Sequence, residues 1–184
     1  NVTLAEKTNG FTQKYKINTN WSGGNWGLTR IREKKWEHLN RLPFESNYTS
    51  KRTGAGVDVY VMDSGIYYAH NDFAKKDMEI LSDNWAGKGM GSVYGLDQNG
   101  HGTHVASTIA GYRYGVAKLA NLKILKIFDQ FGSSNAVAII DGLEEILADH
   151  QLKLFRGENT PSVVNMSFTS MENQIMEAEA INDC

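Results

Sequence analysis

The chain has 184 residues, and its 19 basic and 21 acidic side chains give a formal net charge of −2 at pH 7. This near-neutral balance, without a basic block, gives no reason to expect nucleic acid or an anionic membrane as a partner, and no apolar stretch approaches the roughly 20 residues of a membrane span. Hydrophobic residues make up 41% of the chain, which is typical of a globular domain with a substantial core.

Residues 1–50 are polar and aromatic and show little periodicity. We expect an extended arm there and one short helix near Arg30–Asn40. The chain begins with Asn and no apolar signal segment opens it, so a processed product or a fragment is expected. Three N-x-Ser/Thr sequons in this region are candidate glycosylation sites. They are Asn1, Asn20 and Asn47.

Strand patterns begin after Gly54-Ala55-Gly56. From there on, three almost continuously apolar runs predict strands that are covered on both faces. These runs are Val57–Met62, Asn121–Phe128 and Ser162–Met166.

Helical patterns lie between and after these strands. His101–Ala110 is rich in small residues, which is typical of a helix packed in an interior, and Asn135–Leu154 places apolar residues at spacings of three and four. Thr169–Glu172 matches a capping box, which predicts a last helix over Asn173–Ile181. The alternation predicts an α/β fold, a parallel β-sheet with helices on both faces that is truncated on its C-terminal side.

Asp63 ends the first predicted strand and is followed by Ser64-Gly65. Functional groups gather beyond the carboxyl ends of parallel strands, and a carboxylate there can orient an imidazole and stabilise its protonated form. Two other interpretations stay open from the residues alone. Asp63 can simply begin a turn, or Asp-Ser-Gly can belong to an aspartic peptidase, which would need a second such motif that the chain lacks.

His101 begins the small-residue helix, within Asn99-Gly100-His101-Gly102-Thr103-His104. Paired with Asp63, it would be a general base poised near neutral pH. The alternative is metal binding through His101 and His104, but no third ligand or adjacent Glu accompanies them. We therefore predict no metal site and interpret His104 as an interior histidine with a satisfied side chain.

Two segments resemble the regions around the catalytic Asp and His of subtilisin-family serine peptidases. They are Val57–Phe73 (VDVYVMDSGIYYAHNDF) and Asn99–Gly111 (NGHGTHVASTIAG). Ser162–Phe168 resembles the family's strand at the primary specificity pocket, and Trp26–Ile31 resembles the start of the mature enzyme in the proteinase K and cerevisin branch. The order of Asp before His is also that of the family.

The resemblance implies a peptidase domain over residues 21–184, with residues 1–20 as a propeptide tail or linker. It also implies that Asp63 and His101 are catalytic residues of an Asp-His-Ser triad in a serine endopeptidase. In the family, the nucleophilic Ser lies beyond a helix such as Asn173–Ile181, so this chain is expected to lack it and to be inactive alone. The alternative is an inactive peptidase relative that acts as a peptide-binding or processing partner.

The resemblance further implies that a substrate binds as an added strand between two edges. The matching positions are Gly132, Ser133, Ser134, Ser167, Phe168 and Thr169. Ser134 and Thr169 stand where the family has Gly, which permits close backbone approach, and these two departures favour the inactive alternative. Ser107 and Val105, in the His101 helix, are further departures from the family pattern.

The expected partners are a peptide or protein substrate, the protein's own propeptide and the missing C-terminal part of the domain. No cofactor is expected, and the sequence does not indicate whether the fold holds structural calcium. The sequons and the resemblance together predict the secretory pathway, with a vacuolar or extracellular destination.

Overall fold

The computed structural model describes residues 2–8, 11–17, 26–32, 52–74, 76, 78–83 and 94–169. By its contacts the chain divides into two units, Asn1–Arg52 and Thr53–Cys184. The predicted boundary between residues 20 and 21 stays a prediction, because both residues lie outside the described ranges.

The first unit contains a hairpin where we expected an extended arm. Strand β1 (Val2–Thr8) pairs antiparallel with β2 (Phe11–Ile17) along its whole length. Asn9-Gly10, between the two strands, is a strong sequence signal for a hairpin, and it is the signal that our prediction overlooked. Helix α1 (Trp26–Arg32) begins before the predicted Arg30–Asn40 helix, the later part of which lies outside the described residues.

The second unit is built on a four-stranded parallel sheet. Its strands are β3 (Asp58–Asp63), β4 (Met78–Asp83), β5 (Asn121–Lys126) and β6 (Ser162–Asn165), in the order β4-β5-β3-β6. Three of them match the predicted runs to within two residues. Strand β4 was not predicted, because its sequence MEILSD mixes polar and apolar residues, as an outer strand of a sheet can.

Two helices accompany the sheet. Helix α2 (His101–Ala110) has the predicted bounds, and α3 (Ala136–Phe155) differs from its prediction by one residue at each end. Asn135 caps α3 because its side-chain oxygen accepts the N–H of Ala138 at 2.9 Å. The predicted helix over Asn173–Ile181 lies outside the described residues.

The two helices cover opposite faces of the sheet. Val59 and Val61 of β3 belong to one hydrophobic cluster, together with Ala106 of α2. Tyr60 belongs to a second cluster, together with Leu143 of α3. Because successive side chains of a strand point to opposite faces, α2 and α3 lie on either side of β3. This arrangement confirms the predicted α/β fold.

Small residues allow α2 to approach the sheet closely. Gly102, Ala106 and Ala110 are buried on one side of the helix. A Cβ atom at Gly102 would lie 2.3 Å from the carbonyl oxygen of Gly65, so only glycine fits there. His104 lies on the other side of the helix and is exposed. The prediction that His104 is interior is therefore wrong, because the four-residue spacing of the small side chains sets which side is buried.

Candidate active site

Asp63 is the last residue of β3, and only 2% of its side chain is exposed. One of its carboxylate oxygens, Oδ1, accepts the N–H of Ser64 at 2.7 Å. Its register partner on β5 is Lys126, which is fully buried and donates from Nζ to the carbonyl oxygen of Ser64 at 2.5 Å. Burial lowers the pKa of Lys126, and nearby carboxylates, first that of Asp97, offset part of this shift. The end of β3 is thus bonded on both sides.

His101 is the first residue of α2, and 53% of its side chain is exposed. Its Nδ1 lies 2.9 Å from Oδ1 and 3.0 Å from Oδ2 of Asp63. In the tautomer that makes this bond, Nδ1–H donates to the carboxylate and Nε2 keeps its lone pair. The structure therefore brings the two predicted catalytic residues into direct contact, from two different elements.

The second ring nitrogen of His101 is available for chemistry. No described residue forms a hydrogen bond with Nε2, and the ring borders a cleft. An imidazole that is held by a buried carboxylate can accept a proton from a bound group and later return it. Within the described ranges, no group of three or more His, Cys, Asp or Glu side chains is arranged to hold a metal ion.

The cleft beside this pair is open to solvent and has a volume of about 320 Å³. Its walls are formed by Asp63, Ser64, Asn99, His101, Phe128, Gly132, Ser167, Phe168 and Thr169. Four of the six predicted substrate-binding residues are in this set. The rings of Phe128 and Phe168 meet edge to face with their centroids 5.1 Å apart, so one wall of the cleft is aromatic and apolar.

Ser133 and Ser134, the other two predicted substrate-binding residues, do not line the cleft. The N–H of Ser133 donates to Asp129 Oδ1 at 2.8 Å, and its carbonyl oxygen accepts the N–H of Asp129 at 3.0 Å. Ser134 donates from Oγ to the carbonyl oxygen of Ile127 at 2.5 Å. Both residues are therefore engaged in the turn that follows β5.

A sequence profile of the subtilase family, peptidase S8, matches residues 54–183. The chain belongs to the subtilase family. It is 35% identical over 166 residues to the extracellular serine proteinase of Thermus sp. (strain Rt41A) and 36% identical over 145 residues to proteinase T of Parengyodontium album. The matches cover 85% and 77% of this subtilase chain but only 35% and 43% of the two relatives. The chain thus spans less than half the length of these curated relatives.

Solved structures show the same architecture. A cold adapted subtilisin-like serine proteinase matches this subtilase chain with a TM-score of 0.64 and 30% identity, over 88% of this chain and 52% of the other. Sphericase matches with a TM-score of 0.58 and 26% identity, over 73% and 44% of the two chains. The parallel sheet with helices on both faces is therefore the subtilase fold.

Two of the predicted departures from the subtilase pattern are accommodated within the fold. The hydroxyl of Ser107 donates to Oδ2 of Asp72 at 2.5 Å, and Asp72 lies in a short 3₁₀ turn (Asn71–Phe73). Asp72 is buried, and its Oδ1 also accepts the N–H of Arg113 at 2.5 Å. Val105 is partly buried and packs against the cluster on the α2 side of the sheet.

Sequence reasoning missed three residues at this site. Phe128 was counted only as the end of a predicted strand, and Asn99 only as part of the motif around the histidine. Asp97 was not considered, although a polar residue just before a helix is a familiar signal for a capping side chain. Asn99 donates from Nδ2 to the carbonyl oxygen of Gln130 at 3.1 Å, which links the loop before α2 to the turn after β5.

Some predictions about the subtilase chain fall on other parts of it. The three candidate glycosylation sites, Asn1, Asn20 and Asn47, lie outside the described residues. Among the helices that the structure describes, none is long and apolar enough to cross a membrane.

Proposed function

We propose that the full-length protein carrying this chain is a serine endopeptidase in which His101 is the general base and Asp63 orients it. The observation that carries this proposal is the contact of 2.9 Å between Nδ1 of His101 and the buried Asp63 carboxylate, at the edge of a cleft. Membership of the subtilase family supports the same chemistry. We propose that the nucleophilic Ser lies outside these 184 residues.

The proposed reaction has two proton transfers at one nitrogen. Nε2 of His101 takes the proton from the Ser Oγ as this oxygen attacks the carbonyl carbon of the peptide bond. The imidazolium that forms is stabilised by Asp63, and it then gives the proton to the leaving amine as the C–N bond breaks. Water repeats the sequence on the acyl-enzyme and regenerates the free Ser.

We propose that an extended peptide binds along the cleft by adding a strand. Ser167, Phe168 and Thr169 supply one edge, and Gly132 supplies the other together with Ser133 and Ser134. The contribution of the second edge is smaller, because both backbone polar groups of Ser133 are already bonded to Asp129. The apolar wall formed by Phe128 and Phe168 suits a hydrophobic side chain of the peptide.

The second candidate function is a catalytically inactive relative that binds peptides or a processing partner. Thr169 favours it, because this residue lines the cleft with a side chain where the family has Gly. Ser134 no longer favours it, because its hydroxyl bonds to its own chain at Ile127. The retained contact between Asp63 and His101 favours the peptidase.

The proposed location is the secretory pathway, with a vacuolar or extracellular destination, and the proposed partners are a peptide or protein substrate, the propeptide and the rest of the peptidase domain. The name of the Thermus relative, an extracellular serine proteinase, supports this location. The sequons at Asn1, Asn20 and Asn47 are the proposed glycosylation sites.

A fluorophosphonate probe distinguishes the two candidate functions. Such a probe phosphonylates a Ser only when a general base activates its hydroxyl. We expect covalent labelling of one Ser in the full-length wild-type protein, located by peptide mass spectrometry, and no labelling in the His101→Ala variant. Residues 1–184 expressed alone should give neither labelling nor hydrolysis.

The matched control is His104→Ala, which removes an exposed imidazole from the same helix. It should label as the wild type does. A folded wild-type protein that binds peptides but takes up no probe would establish the inactive relative instead.

A further inference from the structure

Asp97 lies in the loop before α2, outside the catalytic residues that the family resemblance implies, and its carboxylate accepts five hydrogen bonds. Oδ1 accepts from Ser64 Oγ at 2.8 Å, from Asn99 N at 3.0 Å and from Gly100 N at 2.8 Å. Oδ2 accepts from the N–H of Thr103 at 2.9 Å and from its hydroxyl at 2.5 Å. Five donors on one side chain exceed what a helix cap needs, because an N-cap normally serves one or two N–H groups.

These bonds join the two elements that carry the Asp63–His101 contact. Ser64 directly follows Asp63, whereas Gly100 and Thr103 stand on either side of His101 in the first turn of α2. The Ser64 hydroxyl also accepts the N–H of Gly102 at 2.9 Å. The end of β3 and the start of α2 are therefore connected through the Asp97 carboxylate as well as through the Asp63–His101 contact itself.

The helix has no cap of its own at this end. Its N-cap residue is Gly100, which has φ of 103° and no side chain to accept the first N–H groups. Asp97 takes over this task from three residues earlier, and its charge is favourable at a helix N-terminus. Burial alone would raise the pKa of Asp97, but the bonds from Gly100, Thr103 and Ser64 lower it below its usual range, so the acceptor form is maintained at neutral pH.

We propose that Asp97 is a positioning residue, which fixes the distance and orientation between Asp63 and His101 through Ser64 and the first turn of α2. This proposal rests on the proposed peptidase function for its effect on catalysis. An amide at position 97 would present an NH₂ group to at least two of the five donors. The loop and helix start must then move apart, and the imidazole moves with them.

The test is Asp97→Asn in the full-length protein, with Asp72→Asn as the matched control. Asp72 is also buried, and it also accepts a hydroxyl of α2 and a backbone N–H, but it holds the helix through Ser107 rather than at His101. We expect Asp97→Asn to lower kcat on a chromogenic peptide by about ten- to a hundredfold, with KM unchanged. Asp72→Asn should lower the thermal midpoint comparably and leave kcat unchanged.

The NMR signal of the His101 Nδ1–H proton reports the contact with Asp63 without any reaction. Asp97→Asn should shift or broaden this signal, and Asp72→Asn should not. If wild-type hydrolysis is absent while Asp97→Asn still moves the signal, the positioning role stands and the proposed function fails. If hydrolysis is present and Asp97→Asn changes neither kcat nor the signal, the positioning role is overturned and the function stands.

A second pair of variants serves if Asp97→Asn does not fold. Thr103→Val removes one donor to Asp97 with little change of shape, whereas Thr103→Ser keeps the hydroxyl. The valine variant should lower kcat and shift the His101 signal, and the serine variant should retain wild-type values. Equal kcat in the two variants would overturn the proposal, as would an equal loss of kcat in Asp72→Asn and Asp97→Asn.

Discussion

At the carboxyl end of the sheet, the buried Asp63 shares its oxygens with a half-exposed imidazole, whereas Lys123, on the α3 face of the same sheet, is enclosed by carboxylates. Lys123 donates to Glu79 Oε2 at 2.7 Å and to Asp149 Oδ2 at 2.9 Å. Lys153 bonds to Asp58 and lies 3.3 Å from the same oxygen of Asp149. We refer to Asp58, Lys123, Asp149 and Lys153 as the ion-pair cluster.

Every charge of the ion-pair cluster has an oppositely charged partner. The hydroxyl of Tyr60 donates to Asp149 at 2.6 Å as well, and burial raises the pKa of Tyr60 above its usual range, so the phenol stays protonated. Burial alone lowers the pKa of Lys123, but Glu79 and Asp149 raise it above its usual range. The cluster is therefore electrostatically complete and faces no cleft-lining residue.

The two regions show what distinguishes a structural from a chemical use of buried charge. In the ion-pair cluster the donors and acceptors satisfy one another, which stabilises the fold and leaves nothing to react. Beside the cleft, the pairing stops one atom short, because Nε2 of His101 has no partner among the described residues. Variants in the two regions should therefore separate activity from stability, and the following predictions are ordered by the size of the expected effect.

The largest effect should come from the Asp63–His101 contact. In the full-length protein, Asp63→Asn and His101→Ala should each lower kcat/KM by about ten-thousandfold or more, because each removes a member of the acid–base unit. Turnover of a chromogenic peptide and maturation of the precursor measure this. The thermal midpoint should change little for His101→Ala, whose side chain is half exposed. Wild-type turnover in either variant would remove the residue from the catalytic assignment.

The second effect concerns stability alone. Asp149→Ala removes the carboxylate that Lys123, Lys153 and Tyr60 share, and leaving a buried cation without its partner costs about 3–5 kcal/mol of unfolding free energy. Urea unfolding of the full-length protein measures the loss, and kcat should be unchanged at a temperature where the variant is folded.

The stability difference should also depend on pH. Burial alone raises the pKa of Asp149, but Tyr60 and Lys123 lower it below its usual range. A lowered folded-state pKa stabilises the fold above the unfolded-state value, and that stabilisation is lost as pH falls through the folded-state value. The gap between wild type and Asp149→Ala should therefore narrow in acid. A gap that is constant or widens would assign the effect to lost packing.

A third, smaller effect should follow from crowding α2 where it meets β3. A methyl group at Gly102 would lie 2.3 Å from the Gly65 carbonyl oxygen and 3.2 Å from Asp63 Oδ1. Gly102→Ala should push the helix start outwards and lower kcat by about a hundredfold. Thr108→Ala, on the exposed side of the same helix, is the control and should retain wild-type kcat. Equal rates in the two variants would show that helix position does not limit catalysis.

The smallest effect should appear at the cleft rim. Thr169→Gly should lower KM for a peptide substrate by about fivefold, or ~1 kcal/mol, because it removes a side chain that lines the cleft. Ser134→Gly should change KM less, since the Ser134 hydroxyl is turned towards Ile127. Steady-state kinetics on a peptide panel measure both. An equal response, or none across the panel, would show that position 169 does not limit substrate approach.

Much of the site could be predicted from short-range patterns in the sequence. Asp63 was expected at a strand end and His101 at a helix start, because a continuous apolar run and a stretch of small residues each have boundaries that are written locally. The segments around both residues also resemble one family closely enough to name it. The same reasoning failed for β4 and for the β1–β2 hairpin, where strands of mixed polarity have no strong local pattern.

The amino-acid sequence by itself determined which elements form and which two side chains bear the chemistry, because hydrophobic periodicity and glycine placement act over a few neighbouring residues. Only the tertiary structure decided which polar groups are left over. Asp97 and Ser64 are 33 residues apart in sequence, and Lys123 and Asp149 meet across a strand and a helix. Whether a side chain is satisfied or available depends on such long-range contacts. For that reason the exposure of His104, the engagement of Ser134 and the linking role of Asp97 emerged only from the fold.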